Sequence, residues 1–242
     1  MKTKVHGSTF SHCMPIRKNL VVLSGAGISA ESGLSTFRDS GGLWEGYDIK
    51  EVATMEGWKN DPKRVLGFYN LRREQAYSAK PNKAHYAFAE LETVFDVEVI
   101  TQNVDDLHER AGSTNVLHLH GELTKARSIN DDNLISEIGN KAIKVGDLAS
   151  DGNQLRPHIV WFGEMVPMLE EAALIVNKAD ILVVIGTSLV VYPAASLINY
   201  APKHCQKYII DPSNPELFSF EDWKHIKEKA TLGVEELIMD LN

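Results

Sequence analysis

Cysteine is almost absent from this sequence: only Cys13 and Cys205 occur among its 242 residues. Two thiols so far apart cannot supply a disulfide framework, and they cannot supply a cysteine-rich metal site either. Such a chain suits a reducing compartment, and we therefore expect a cytoplasmic protein.

Positive charge and long apolar runs are also scarce. The 25 lysine and arginine residues are outnumbered by 33 aspartate and glutamate residues, which gives a net charge of -8. Nucleic-acid affinity depends on basic side chains that neutralise phosphates, so we expect no nucleic-acid partner. No apolar run approaches the ~20 residues that cross a bilayer, so we expect no membrane partner.

The first part of the chain is basic and has no acidic residue before Glu31. It lacks the apolar core of a secretory signal. We expect residues 1–18 to be a leader that is disordered or was added for expression, and a transit peptide is the alternative. The folded domain then comprises residues 19–242.

Short β-rich runs alternate with stretches of helical apolar spacing. The predicted strands are 20–23, 97–101, 158–162, 181–185 and 207–210, and the clearest predicted helices are 62–79 and 82–94. This alternation predicts an α/β fold, a Rossmann-like doubly wound parallel sheet with helices on both faces. Residues 125–155 break the pattern, so we expect a second, smaller inserted module formed by about 40–75 and 125–155.

The first predicted strand runs directly into a glycine turn, GAGIS at residues 25–29. This turn matches the start of a dinucleotide-binding fold, in which glycines allow close backbone approach to a pyrophosphate. An ordinary tight turn is the alternative. A typical dehydrogenase is disfavoured, because no strand ends in an acidic residue about 20 positions later, and Glu45 and Asp48 lie in a loop instead.

Further motifs follow the glycine turn in order. They are ESGL at 31–34, TFRD at 36–39, TQNVD at 101–105, HLHGEL at 118–123, RPHIVWFGE at 156–164 and GTSL at 186–189. Together they resemble the sirtuin family of NAD-dependent protein-lysine deacylases, over about residues 19–241. The resemblance implies the Rossmann-like fold, NAD as cofactor, and acyl-lysine proteins or peptides as partners.

The resemblance also implies roles for individual residues. The implied NAD-binding residues are Gly25, Ala26, Gly27, Ile28, Ser29, Phe37, Arg38, Gln102, Asn103, Asp105, Gly186, Thr187 and Ser188. The implied catalytic residues are Asn103 and His120, the latter as a general base with a pKa suited to neutral pH. His118 does not align with the catalytic position. The implied substrate-binding residues, which add the peptide as a β-strand, are Val160, Phe162, Gly163, Glu164 and Val166.

Two residues of the predicted helix 62–79 bear on the acyl group. Tyr69 and Arg72 are three residues apart and therefore share a helix face. The spacing resembles the Tyr-x-x-Arg pair of sirtuins that prefer succinyl- and malonyl-lysine, in which the arginine binds the distal carboxylate. We expect this preference here, with acetyl-lysine also accepted. A surface arginine beside a packed tyrosine is the alternative, and we expect the nearby His85 to be a core or helix residue.

The sequence departs from the family at two places. Most sirtuins bind zinc through two cysteine pairs, whereas residues 125–155 contain no cysteine and Ser128 stands near the first ligand position. We therefore expect no zinc or other metal, and an apolar core in its place. The candidates for that core are Ile129, Leu134, Ile138, Ile143, Val145, Leu148 and Leu155. In the segment 207–212, the family often has an asparagine that contacts the adenosine ribose, whereas this chain has isoleucine. Asp211 or Asn214 is the candidate to replace that contact.

Other functions of the same site stay open at this point. General deacetylation, NAD hydrolysis and ADP-ribosyl transfer would use the same NAD-binding residues. A catalytically silent NAD sensor is disfavoured, because a sensor does not need the full set of Phe37, Arg38, Asn103, Asp105 and His120. We expect the protein to be a monomer.

Overall fold

The computed structural model describes residues 17–36, 43–44, 46–214 and 222–241. The strands are β1 (Asn19–Ser24), β2 (Leu43–Trp44), β3 (Tyr47–Asp48), β4 (Asp96–Thr101), β5 (Val116–His118), β6 (Gly121–Ser128), β7 (Ile135–Glu137), β8 (Leu155–Ile159), β9 (Ile181–Ile185), β10 (Gln206–Ile210) and β11 (Trp223–Ile226). The helices are α1 (Gly27–Ala30), α2 (Ile49–Val52), α3 (Met55–Asn60), α4 (Pro62–Ser78), α5 (Lys83–Leu91), α6 (Leu107–Ala111), α7 (Leu169–Val176) and α8 (Ala230–Leu241), with a 3-10 helix at Ala194–Tyr200.

Six parallel strands form the central sheet, in the order β11-β10-β9-β1-β4-β5. The chain winds outward from β1 through β4 and β5, then returns to β9 and winds outward the other way. The connections therefore diverge between β1 and β9, which are paired. In doubly wound sheets, ligands bind at this switch point, beyond the carboxyl ends of the strands. The predicted doubly wound α/β fold is confirmed.

Both faces of this sheet are buried, because successive side chains of an apolar strand point to opposite sides. In β1, Leu20 belongs to the apolar cluster that contains Phe88 of α5 and Leu237 of α8. The next residue, Val21, belongs to the cluster on the other face, with Val176 of α7. Apolar clusters therefore cover both faces of the sheet.

A smaller antiparallel sheet has the order β7-β6-β8. Residues 158–162 were predicted to be a strand of the parallel sheet, and this placement is wrong. The strand β8 ends at Ile159 and pairs with β6 instead. An apolar run indicates that a strand is buried, but it does not indicate which sheet the strand joins, and this explains the error.

The helix α4 packs beside the smaller sheet. Asp61 caps it by accepting a hydrogen bond from the Arg64 nitrogen, and Pro62 suits its first turn. The predicted helix 62–79 is confirmed to within one residue, whereas α5 ends at Leu91, three residues before the predicted end. Among the described helices, none is long and apolar enough to span a bilayer.

The predicted apolar core of residues 125–155 forms only in part. Ile143 is buried, and it belongs to an apolar cluster against which Ile129, Ile138 and Leu155 pack half-buried. Val145 and Leu148 are 63% and 59% exposed, so the prediction was wrong for these two residues. They lie in a polar loop whose backbone is held by hydrogen bonds rather than by side-chain burial.

Side-chain hydrogen bonds also join this loop, residues 144–154, to residues 128–133. The buried Ser128 hydroxyl donates to Asp151 Oδ2 at 2.6 Å and accepts from the Asn130 N–H at 3.1 Å. The Asn130 side chain donates to Asn153 Oδ1 at 2.9 Å. A serine hydroxyl and a carboxylate do not make a tetrahedral thiolate zinc site, and hydrogen bonds between polar side chains join these two loops.

Candidate functional site

Two glycine loops meet at the switch point between β1 and β9. Gly25 and Gly27 donate backbone hydrogen bonds to the carbonyls of Ile185 and Gly186, at 3.0 and 2.8 Å. Gly186 has a φ of +63°, and a Cβ atom on it would lie 2.3 Å from the Ile28 nitrogen. Glycine is therefore required by the packing of one loop on the other.

A buried hydrogen-bond network lies next to these loops. The Ser24 hydroxyl donates to Thr101 Oγ1 at 2.9 Å, and His108 Nε2 lies 3.0 Å from Ser24 Oγ. His108 Nε2 therefore belongs to the same buried chain of hydrogen bonds as Ser24 and Thr101. Burial holds the pKa of His108 well below its ordinary value, so the ring is neutral. Sequence reasoning missed Ser24 and His108, since neither belongs to a pattern that indicates a site.

Ser29 joins two of the predicted NAD-binding residues. Its hydroxyl accepts from Asn103 Nδ2 at 3.1 Å and donates to Asp105 Oδ2 at 3.2 Å. His85 Nε2 lies 3.5 Å from the same hydroxyl, while its Nδ1 accepts from the Asn82 N–H in a helix capping box. Burial raises the pKa of Asp105, and the hydrogen bonds from the Leu107 N–H and from Ser29 oppose that rise.

His120 is held by the chain that follows β4. Its Nδ1 lies 3.0 Å from the Gln102 carbonyl oxygen. A carbonyl only accepts, so Nδ1 carries the proton and the neutral ring has its lone pair on Nε2. Burial lowers the pKa of His120, although the hydrogen bond to Gln102 opposes this effect. Within the described ranges no protein group bonds to Nε2, which leaves it available as a base.

Gln102 also connects the two halves of the site. Its side-chain Nε2 donates to Thr187 Oγ1 at 3.1 Å, across the switch point. The neighbouring Ser188 is half-buried, and Ala26 on the opposite loop is exposed. The predicted residues of the two glycine loops and of the 101–105 motif therefore lie at one edge of the sheet.

The turn after His120 depends on Gly121. Its φ is +81°, and a Cβ atom on it would lie 2.0 Å from the His158 carbonyl oxygen. Beyond this close approach, the Val160 N–H donates to the His120 carbonyl at 2.9 Å. The Phe162 N–H donates to another loop, and the Phe162 side chain is 51% exposed. The predicted substrate segment thus lies directly beside His120.

Glu164 was predicted to bind substrate, but its carboxylate is bonded to the protein. It accepts from Arg156 at 2.6 and 3.1 Å and from the Trp161 N–H at 2.7 Å. These hydrogen bonds lower the pKa of Glu164 although burial acts to raise it. The carboxylate shapes the turn at Gly163, whose φ is +89°. Val166 is half-buried against the apolar cluster beneath β9.

Tyr69 and Arg72 both lie on the inner face of α4, with 1% and 7% of their surface exposed. The alternative of a surface arginine is therefore excluded. Trp161 Nε1 donates to the Tyr69 hydroxyl at 3.1 Å, which joins α4 to the predicted substrate segment. Burial raises the pKa of Tyr69, so the phenol is neutral.

Four further predicted residues lie elsewhere in the chain. Phe37 and Arg38 lie outside the described residues. Asp211 is buried at the carboxyl end of β10, where its carboxylate accepts from the Ser213 N–H at 2.9 Å, and Asn214 is exposed.

Residues 25–193 match the model of the Sir2 family. An NAD-dependent protein deacylase of Helicobacter pylori is 56% identical over 224 residues, which cover 93% of this chain and 97% of that protein. A Sir2 homolog–NAD complex has a TM-score of 0.82 and 44% identity, covering 93% of this chain and 90% of that chain. A Sir2 protein bound to acetylated peptide has a TM-score of 0.75 and 28% identity, covering 93% of each chain. The chain therefore belongs to the Sir2, or sirtuin, family, as its motifs predicted.

Proposed function

We propose that this protein removes acyl groups from protein lysines in an NAD-dependent reaction that yields nicotinamide and O-acyl-ADP-ribose. The observation that carries the proposal is the position of His120, a neutral base between the switch point and the 160–162 segment. The similar proteins support it, since one is named an NAD-dependent protein deacylase and another is bound to acetylated peptide.

The switch point is the place that suits NAD. A side chain at Gly25, Gly27 or Gly186 would collide with the opposite loop, so these loops present backbone groups at the edge where such sheets bind nucleotides. Asn103 donates to Ser29 through Nδ2, and no described group donates to its Oδ1. That oxygen is therefore an acceptor for a ribose hydroxyl or an amide, which agrees with a catalytic role for Asn103.

His120 supplies the base. When bound, NAD supplies the ribose carbon from which nicotinamide departs and to which the acyl oxygen becomes attached. With NAD bound, His120 Nε2 would accept the proton of a ribose hydroxyl, while the Gln102 carbonyl keeps Nδ1 protonated and the ring in one orientation. A base of this kind contributes about 10²–10⁴ in rate.

The peptide is proposed to add as a strand along residues 160–163. Gly163 is exposed and has no side chain that would obstruct an approaching backbone. Its positive φ is one that glycine adopts readily. The exposed Phe162 ring and the half-buried Val166 are the proposed walls for the acyl-lysine chain. The Glu164 carboxylate keeps this segment in shape through Arg156 rather than through the substrate.

We infer further that acidic acyl groups are preferred. Arg72 is a buried cation on the face of α4 that also carries Tyr69, and Tyr69 contacts Trp161 beside the substrate segment. The distal carboxylate of a succinyl or malonyl group is a suitable partner for a guanidinium, whereas an acetyl group offers it none.

The deacylase proposal is tested by incubating the protein with NAD and with acetyl-, succinyl- or unmodified lysine peptides. We expect nicotinamide and O-acyl-ADP-ribose only with acylated peptides. His120→Ala should abolish both products while NAD affinity stays within a few-fold, because the imidazole acts in the chemical step. The matched control is His204→Ala, since the His204 side chain is 71% exposed. Nicotinamide release without any peptide would indicate NAD hydrolysis instead.

A further inference from the structure

His118 lies at the end of β5, two residues before His120, and both of its ring nitrogens face oxygen acceptors. Nδ1 is 3.0 Å from the Asn103 carbonyl oxygen, and Nε2 is 2.7 Å from Glu109 Oε1. A neutral imidazole has one N–H and can donate to only one of them. Two donated hydrogen bonds require the imidazolium form, so the geometry itself points to a charged ring.

We propose that His118 is a positioning residue for the deacylation reaction, held as an imidazolium by Glu109 so that it fixes the Asn103 backbone carbonyl. The proposal rests on the proposed function, because it is the reaction that requires Asn103 to be in place. His118 does not touch substrate in this scheme; it acts through Asn103.

The two histidines of this motif hold consecutive carbonyl groups. His120 Nδ1 bonds the Gln102 carbonyl and His118 Nδ1 bonds the Asn103 carbonyl, each at 3.0 Å. Only His118 has a carboxylate against its second nitrogen. The two rings therefore differ in charge. Glu109 keeps the His118 ring charged, whereas His120 has no such partner and keeps a free lone pair on Nε2.

The Asn103 carbonyl is the third of three attachments of this residue. Its N–H donates to Thr101 Oγ1 at 3.0 Å, and its side-chain amide donates to Ser29 at 3.1 Å. Without the His118 bond, the peptide group after Asn103 loses the attachment that fixes its orientation. The charge has a second effect, because it opposes the rise that burial causes in the pKa of the nearby Asp105 carboxyl.

The charges around His118 agree with this assignment. Burial acts to lower the pKa of His118, but the hydrogen bond and charge of Glu109 and the charge of Glu122 raise it overall. The titratable and charged groups that face this cluster are Glu109 and the neutral His108 of α6, Asp105 of the connecting loop, and Glu122 and Lys125 of β6. Lys125 Nζ lies 2.5 Å from Glu122 Oε2, so the carboxylate of Glu122 is already paired with an ammonium group. Glu109 is the carboxylate that pairs with His118.

The sign of the pH effect follows from the raised pKa. The bond between charged His118 and Glu109 is fully present below the ordinary histidine value of about 6.5. It is lost as the pH rises through the raised value in the folded protein. At high pH, His118 loses its proton and should no longer hold the Asn103 carbonyl in place. At low pH, His120 becomes protonated and can no longer act as a base.

The test is Glu109→Gln, which keeps an acceptor oxygen but removes the charge. Histidine NMR should give His118 a pKa above about 6.5 in wild-type protein and at or below that value in the variant. The alkaline limb of kcat/KM should move to lower pH with it, so the variant should approach wild type near pH 6 and fall about five- to tenfold near pH 8. A merely structural role for Glu109 would lower activity equally at all pH values.

Two further variants keep the test decisive. His118→Asn retains a donor near the Nδ1 position without charge, and we expect reduced kcat with the alkaline limb abolished. Glu90→Gln, an exposed glutamate of α5, should leave the profile unchanged. Superimposable profiles for wild type and Glu109→Gln, or an NMR pKa of His118 below the ordinary value, would overturn the proposal. Because NMR reports the charge without turnover, failure of the deacylase assay would be recognised separately.

Discussion

Arg72 and Tyr69 allow acyl selectivity to be tested with single substitutions. We expect wild-type protein to favour succinyl- over acetyl-lysine by roughly 10–100-fold in kcat/KM, since a hydrogen bond to a charged group contributes about 1.5–3 kcal/mol and about 1.4 kcal/mol is tenfold. Arg72→Met should remove most of this preference by lowering desuccinylation, while acetyl turnover stays level or rises. The measurement is kcat/KM for the two peptides.

Arg64→Met is the matched control for this substitution. Arg64 lies on the same helix, but its side chain is 44% exposed and pairs with Glu51 at the surface. We expect it to leave the ratio of the two activities unchanged. Tyr69→Phe should act in the same direction as Arg72→Met but more weakly. An equal loss of both activities in Arg72→Met would show that Arg72 supports the fold rather than the acyl group.

At the scale of elements, hydrogen bonds between polar side chains join the loops 128–133 and 144–154. Ser128→Ala leaves the Asp151 carboxylate and the Asn130 N–H without this partner. Losing one buried hydrogen-bonding group costs about 1 kcal/mol, which in a domain of this size lowers Tm by about 2–4 °C. The measurement is thermal unfolding of the two proteins under the same conditions.

Ser136→Ala is the control, because Ser136 is exposed on β7 of the same sheet, and its Tm should match wild type. We also expect a chelator to leave Tm and activity of the wild-type protein unchanged. If Tm instead fell with a chelator and Ser128→Ala had no effect, a metal rather than the hydrogen bonds would hold the two loops.

At the scale of the whole molecule, buried neutral histidines make stability depend on pH. His85 and His108 are buried, and burial lowers the pKa of His85 to about 4 and that of His108 well below its ordinary value. The unfolded chain binds protons at these residues near pH 6.5, where the folded protein does not. Stability therefore falls as the pH drops below about 6.5, by up to about 1.4 kcal/mol per pH unit for each histidine.

Calorimetry between about pH 7 and 5 measures this slope. His85→Gln should make the slope shallower, because one of the two buried rings no longer contributes. The exposed His204→Gln should leave it unchanged. A slope that His85→Gln left unchanged would mean that the His85 ring becomes protonated in the folded state.

The sequence by itself determined the parallel sheet, the glycine loops and the family. These features depend on local patterns: apolar runs that are buried on both faces, and glycines next to strand ends. The 25–29 and 186–188 loops were both predicted to bind NAD, and the structure brings them together, although their packing against each other was not foreseen. Periodicity and turn chemistry act over a few residues and can be read directly from a sequence.

Only the tertiary structure decided which sheet residues 155–159 join, how Ser128 is satisfied and which histidine is charged. Each of these depends on a partner brought close by folding. Ser128 meets Asp151 across 23 residues, and His118 meets Asn103 across 15. The imidazolium assignment needs two oxygen atoms, one from a helix and one from a loop, at the two nitrogens of one ring. Such a coincidence leaves no periodic signal, because hydrogen bonding and burial depend on distance in space rather than on separation along the chain.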